Sequence, residues 1–358
     1  MDASIRQILD PRVLTSAYSQ RPALRPTPLT DAFFVNPEPI DGDTFRLLYD
    51  PADSEPAPAN FPGAEARTVT TGDAQERVLN LFLTFNKTQF TEDVLNALRE
   101  PDSFTLQQKG RREIQRVMDK FSERQRRFKE LVIAKALATG AVHLNAQGQV
   151  LETAVGAAMS AGFDVASTHQ GNLDGLLSDL FSDPAADIPA MLEALDDAAE
   201  SENVPPPTDV WVNKLALASL RNNAKFQTWA QYNESATGQV LRGGMIEGLW
   251  GKTWHFIGTK YRAVDGSMQP FLPVTTAVFT PPPGEPWMKA SSGSTVLPRS
   301  IGVMPDIDAA LGNLDVVYGP FSYAKLLDDP VRVMGYLGDK FGFHFAEPNA
   351  VWQATAFA

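Results

Sequence analysis

Cysteine is absent from all 358 residues. That excludes disulfides, thiolate zinc sites, iron–sulfur clusters and thiol nucleophiles. It leaves the compartment open, because oxidising and reducing locations both permit a chain without thiols. Long apolar runs are missing too: no stretch reaches the roughly 18 residues of a membrane span. The start, "MDASIRQILDPRVL", lacks the basic run and apolar core of a secretory signal. Histidine is scarce, and His143, His169, His255 and His344 show no paired ligand spacing, so no zinc site is expected. Neither a Gly-x-Ser-x-Gly elbow nor a Gly-x-Gly-x-x-Gly turn after a strand occurs. "GMIEGLWGKTW" contains Gly251-Lys252-Thr253, but Ile246 stands where a phosphate loop needs glycine. The following "TWHFIGTKY" also reads as extended, where such a loop would open a helix. The acid pairs in "LDD" at 195–197 and 327–329 suit caps and solvated helix ends. The expectation is a protein without cofactor, metal or catalytic residues.

Positive charge is also short. The formal net charge is -12, which makes the whole a poor partner for nucleic acid. What there is clusters: Thr105 to Thr139 carries ten Lys or Arg against four acids, a net of +6, leaving -18 for the rest. Two readings stand, a solvated face with internal ion pairs or a face directed at something acidic.

What remains is globular, with 43% hydrophobic and 21% charged residues, and long enough for two or more lobes. Residues 1 to 35 are proline-punctuated and read as an extended arm, with a short helix at Ser4 to Leu9. "TFRLLYD" and "EARTVTT" read as two strands around the Pro-rich "PADSEPAPANFPG", a projecting hairpin, with a disordered linker as the alternative. Two strands alone have no third layer to pack on. Residues 74 to 98 read as an amphipathic helix. A long helix then runs to Gly140, capped by "TLQQ" at 105–108. Ile114, Val117, Phe121, Phe128, Leu131 and Val132 form its apolar stripe. "AVHLN" and "QVLE" follow as a small hairpin around "AQG". "DPAADIPAMLEALDDAAESE" is an acidic helix ended by "NVPPPTD". Then come a buried strand "DVWVN", a helix "KLALASLRNNAKFQTWA", and strands "TWHFIGTKYR" and "FLPVTTAVFTP" joined through Asp265-Gly266. The chain ends β-rich. Its six tryptophans (Trp211, Trp229, Trp250, Trp254, Trp287 and Trp352) read as core packing, since base stacking would want interleaved cations.

This order resembles the major capsid protein of tailed bacteriophages, in the lambda-like branch. "RRFKELVIAKALATGAVHLNAQGQVLE" is similar to that branch's spine-helix end and hairpin. "PTDVWVNKLALASLRNNAKFQ", "YRAVDGSMQPFLPVTTAVFTP" and "YGPFSYAKLLDDPVRVMGYLGDKFGFHFAEPNAVWQATAF" resemble its later segments. The resemblance implies an α+β, HK97-like capsid fold. Its parts would be an N-terminal arm (1–34), an extended hairpin loop (35–73), a peripheral domain (74–207) with a spine helix over 105–139, an axial α/β domain (208–320), peripheral return strands (321–346) and a final axial strand (347–358). It implies a structural protein that self-assembles as hexamers and pentamers around double-stranded DNA, in the virion capsid after assembly in the host cytoplasm. The implied partners are other copies, a portal, scaffold and decoration proteins, and packaged DNA by weak contact, with no membrane. Phe45, Arg46, Tyr49, Phe61 and Arg67 are expected at inter-subunit contacts, and Arg112, Arg116, Arg126 and Arg127 on a basic face towards the lumen. The competing readings are a cellular compartment shell of the same fold, a nucleic-acid-binding protein using the basic helix, and a hydrolase with a dispersed site.

Overall fold

The computed structural model describes residues 11–19, 25–49, 75–90, 104–232, 245–284, 286–298, 314–328 and 331–357. Two short helices come first, α1 (Pro11–Ser19) and α2 (Pro28–Phe33), then strands β1 (Glu38–Ile40), β2 (Thr44–Tyr49), β3 (Gln75–Asn80) and β4 (Phe82–Phe90). The expected helix at Ser4 to Leu9 and the strand "EARTVTT" lie outside the described residues. β2 instead pairs with β3, from Thr44 opposite Asn80 to Tyr49 opposite Gln75. The expected helix over 74–98 is therefore wrong where the structure describes it, since β3 and β4 occupy 75–90. Val78, Leu79, Leu81, Phe82 and Phe85 satisfy a helical period by coincidence. Phe82 to Phe85 also alternate buried and outward positions, and pairing with a strand 250 residues away decides the outcome.

Helix α3 (Phe104–Thr139) matches the expected spine and, at about 1.5 Å per residue, is about 54 Å long. Gly140 ends it with a φ of +64°, which favours glycine, and its N–H still bonds Ala136 O at 3.0 Å. The first half buries a narrow stripe, Ile114 and Met118, with Val117, Phe121 and Phe128 only half-buried. From Lys129 to Leu137 every side chain is buried. Val132, Ile133, Ala136 and Leu137 share one core with Trp211 and Val278 on one side and Phe341, Phe343 and Phe345 on the other. At about 1.5–3 kcal/mol for each large apolar side chain buried, this half of the helix joins the two lobes.

The small hairpin forms as expected, β5 (Ala141–Leu144) with β6 (Val150–Leu151), and β7 (Met159–Gly162) adds a third strand. β8 (Gln170–Gly171), the acidic helix α4 (Ile188–Ser201) and β9 (Asp209–Asn213) follow. The expected single helix over "KLALASLRNNAKFQTWA" is two, α5 (Ala216–Asn222) and α6 (Ala224–Tyr232). Buried Asn223 makes the break: its Oδ1 accepts from Lys225 N and Phe226 N, while its Nδ2 donates to Ala186 O. The next strands are β10 (Met245–Leu249), β11 (Lys252–Ile257), β12 (Lys260–Arg262), β13 (Met268–Pro270) and β14 (Thr276–Thr280). The last are β15 (Met288–Pro298), β16 (Leu314–Tyr318), β17 (Phe321–Asp328), β18 (Val331–Phe345) and β19 (Trp352–Thr355).

One sheet runs β10-β11-β9-β14-β19-β8. Its strand β9 is buried on both faces: Trp211 faces the α3 core, while Val210 and Val212 face a second core with Leu192, Leu220, Trp254 and Trp352. Gly251-Lys252-Thr253 opens β11 rather than a helix, and Lys252 Nζ is held by Asp196 and Pro207 O. The other sheet is organised by β18, which pairs with β4 along one edge and with β17 and then β15 along the other. β15 continues into pairing with β16, so the chain returns to this sheet at Met288, earlier than the expected residue 321.

Candidate functional site

The expected contact residues start from the β2–β3 hairpin, whose strands, among the described residues, pair only with each other. Phe45 is half-buried at its root, its ring centroid 4.5 Å from that of His344 on β18. Arg46 and Tyr49 lie farther out on β2, opposite Val78 and Gln75. Phe61 and Arg67 lie outside the described residues. Below the root, Lys340 Nζ joins Asp43 and donates to Ser294 O at 3.0 Å.

Part of the expected arm is anchored inside its own chain. Leu29 and Phe33 of α2 are fully buried in the α3 core. Glu130, also fully buried, accepts from Leu29 N at 3.1 Å and from Thr30 N and Oγ1 at 2.7 and 2.8 Å. It thereby takes donors that the helix start would otherwise leave unsatisfied. Burial raises its pKa, and the Thr30 and Leu29 hydrogen bonds pull the other way. The neighbouring Lys129 pairs with Asp339 Oδ2 at 2.7 Å and sits 4.2 Å over the Phe34 ring. A cavity of about 400 Å³ beside them is lined by Thr30, Asp31, Gln125, Arg126 and Asp339.

The expected basic face divides in two. Arg112 and Arg116 are exposed, and Arg116 makes a 3.5 Å pair with Glu113. Arg126 and Arg127 are partly covered, and Arg127 donates to Glu123 at 3.2 Å. The reason is depth rather than direction. Arg126 follows Arg112, and Arg127 follows Arg116, by about four and three turns, so the azimuth is shared while the helix runs inward beneath residues 25–36. Among the described side chains of α3, the exposed cations form a four-residue series instead, Arg112, Arg116, Lys120 and Arg124. Asp196 of the acidic helix α4 pairs with Lys252, not with these arginines.

One surface was not legible in the sequence. Phe85 of β4, Tyr336 of β18 and Tyr323 of β17 stack across three strands, at 5.6 Å and 14° and at 4.8 Å and 12°. Phe321 lies beneath Phe85, 6.0 Å away. Gly338 makes room for it, since a Cβ there would come within 2.2 Å of Phe321 Cζ. Phe85 is 52% exposed and Leu83 58%. Further apolar exposure occurs at the β12–β13 hairpin (Val264, Met268) and on β15–β16 (Val296, Val316). The ladder draws on strands far apart in the chain, and only their pairing brings it together. Among the described residues, no three His, Asp or Glu side chains converge as metal ligands would.

The model of the phage major capsid protein E family matches residues 10–295. No curated protein matches the chain. Among solved structures, a protein described as an Escherichia coli prophage capsid protein superposes with a TM-score of 0.58 at 15% identity, over 98% of this chain and 99% of that one. A phage-related protein of Bordetella bronchiseptica superposes with a TM-score of 0.50 at 11% identity, over 97% and 96%. At such identities the likeness is one of fold.

Proposed function

The chain belongs to the phage major capsid protein E family, and on that premise we propose that it self-assembles as hexamers and pentamers into the icosahedral head enclosing the double-stranded DNA of a tailed phage. It is a structural capsid protein with the HK97-like fold, its place is the virion capsid, and it works by assembling into multimeric shells. In this reading the β9-centred lobe is axial, the β18-centred lobe is peripheral with α3 as its spine, and residues 35–73 and 1–34 are the extended loop and arm. No catalytic role is assigned. Portal, scaffold and decoration proteins are the remaining partners, met during assembly in the host cytoplasm.

The observation that carries the reading is the two-stranded β2–β3 hairpin rooted at one end by Phe45. An isolated pair of strands is at best marginal in water, so a second copy supplies its missing layer. Phe45, Arg46, Tyr49, Phe61 and Arg67 are the proposed contacts. The exposed cations of α3, Arg112 and Arg116 with Lys120 and Arg124, are proposed to face the lumen and touch packaged DNA, with Arg126 and Arg127 behind them. Deleting Asp50 to Gly63 should leave a soluble subunit with unchanged thermal unfolding that forms no closed shells. Normal shells from that variant would overturn the reading.

A further inference from the structure

We propose that a cavity walled by Arg124, Arg127 and Arg262 is a binding site for a nucleoside phosphate, either free or as an unpaired nucleotide of a strand. Neither the ligand nor its test depends on the closure of a shell.

Three segments remote in the chain build the cavity. It measures about 640 Å³, within the range of small-molecule sites. Helix α3 gives Arg124, Arg127, Phe128 and Leu131, whose three- and four-residue steps put them on one side of the helix. The β12–β13 hairpin adds Tyr261, Arg262 and Val264, and the β5–β6 turn adds Gly148. Depth sorts this lining. Leu131 and Tyr261 are 8% and 7% exposed and form an apolar floor, with Phe128 half-buried above them. Arg124, Arg262 and Val264 are exposed at the rim. Arg127 lies deeper, its side chain 33% exposed.

Charge selects an anion. Among the described residues no Asp or Glu lines the cavity, although the chain carries a net charge of -12. The acids nearby are engaged. Glu123 accepts from Arg127 Nε at 3.2 Å, and Glu152 accepts from Tyr261 Oη at 2.6 Å and pairs with Lys135. Asp265 accepts from Ser267 N and Oγ at 2.9 and 2.7 Å. The Glu123 bond orients Arg127, and a 3.3 Å bond from Arg262 Nε to Gly266 O orients Arg262. Both bonds use Nε, so the terminal nitrogens lie outside them and present the fork that takes phosphate oxygens in pairs. The cavity beside Lys129 makes the contrast: Asp31 and Asp339 line it and would repel the same ligand.

Shape narrows the class. Three guanidiniums suit a multiply charged phosphate better than one carboxylate. The apolar floor offers nothing to a bare anion, whereas a base or sugar can lie against Tyr261 and Phe128. An intact duplex fits poorly, because phosphates on its convex surface would meet the rim cations and miss Arg127. Arg124 also belongs to the exposed series proposed to face the lumen, so an unpaired stretch of packaged DNA is one source and a free nucleotide the other.

The test is equilibrium titration of full-chain subunits with dATP, with deoxyadenosine, and with tripolyphosphate. One saturable dATP site per chain is expected, at least about tenfold tighter than either of the other two. Arg127→Gln and Arg262→Gln should each weaken it by about tenfold, while Lys225→Gln leaves it unchanged. A single-stranded oligonucleotide that displaces dATP would identify an unpaired strand as the source, and no displacement would identify the free nucleotide. A duplex that displaces dATP as well as the single strand does would overturn the proposal, since the contact would then be a general one to the backbone. Tripolyphosphate binding as tightly as dATP would also overturn it, by removing the nucleoside. So would the absence of a saturable site, or binding that neither arginine variant weakens. Should Arg127→Gln not fold, Val264→Asp is the second variant, because it sets a carboxylate at the exposed rim without touching the core. It should weaken binding by about tenfold with unfolding unchanged, and binding equal to the parent would refute the site.

Discussion

Acidification should loosen the hairpin root through a single buried histidine. His344 is 4% exposed, its Nε2 has no hydrogen-bond partner, and the Phe45 ring lies against it. Burial, with the Lys289 charge adding, holds its pKa down at about 4. The unfolded chain would hold that imidazole at about 6.5. Between those values the unfolded state binds the proton and the folded state refuses it, so stability rises with pH and is lost as pH falls. At about 1.36 kcal/mol per unit, the full loss is about 3 kcal/mol, and most of it is gone by about pH 4.5. The perturbation is His344→Phe, which keeps a ring against Phe45 and removes the titration. Denaturant unfolding of subunits, at about pH 7 and about pH 4.5, gives the stability difference between variant and parent at each pH. That difference should move by about 2–3 kcal/mol in favour of the variant on acidification. Hydrogen exchange at β2 amides should rise in the parent over the same range and not in the variant. A difference that stays constant with pH would refute the reasoning, because it would mean that the folded site accepts the proton.

Three more outcomes are expected. Gly338→Ala should cost about 1–3 kcal/mol, because its Cβ meets Phe321 and the Thr84 carbonyl; unchanged unfolding would mean that Phe321 swings aside freely. Glu130→Gln should cost about 1–3 kcal/mol, since one oxygen is lost and an amide donor is set against the Leu29 and Thr30 N–H groups. Exchange at those amides should accelerate, and protection equal to the parent would contradict the clamp. Neutralising Arg112, Arg116, Lys120 and Arg124 to Gln should leave subunit unfolding unchanged while DNA retention in shells becomes less salt-dependent; a destabilised subunit with normal retention would mean that the cations serve the fold.

Much of the fold was legible where local signals and burial agree. Gly140, the α3 stripe and the apolar "DVWVN" each point one way, and the structure follows them in α3 and β9. β3 and β4 were not legible, because Val78, Leu81, Phe82 and Phe85 fit two periods at once, and for β4 only the distant β18 chooses between them. The break at Asn223 depends on Ala186 O, supplied from the turn before α4. Leu29 and Phe33 looked like arm residues because so short a helix carries little periodicity; their burial needs Glu130, a hundred residues away. The candidate surfaces divide likewise. Charge on α3 is visible in the sequence, but its exposure depends on what covers residues 125–130. The ladder needs a strand register that no local pattern encodes.

The central claim is that copies of this chain close into a shell. A cryo-electron-microscopy reconstruction of the purified, assembled protein tests it most directly. The expected result is closed icosahedral particles with fivefold and sixfold clusters of one subunit, the β9-centred lobe at each cluster axis and the β2–β3 hairpin lying across a neighbouring chain. Particles in which the hairpin touches only its own subunit, or a protein that stays monomeric under all assembly conditions, would contradict it.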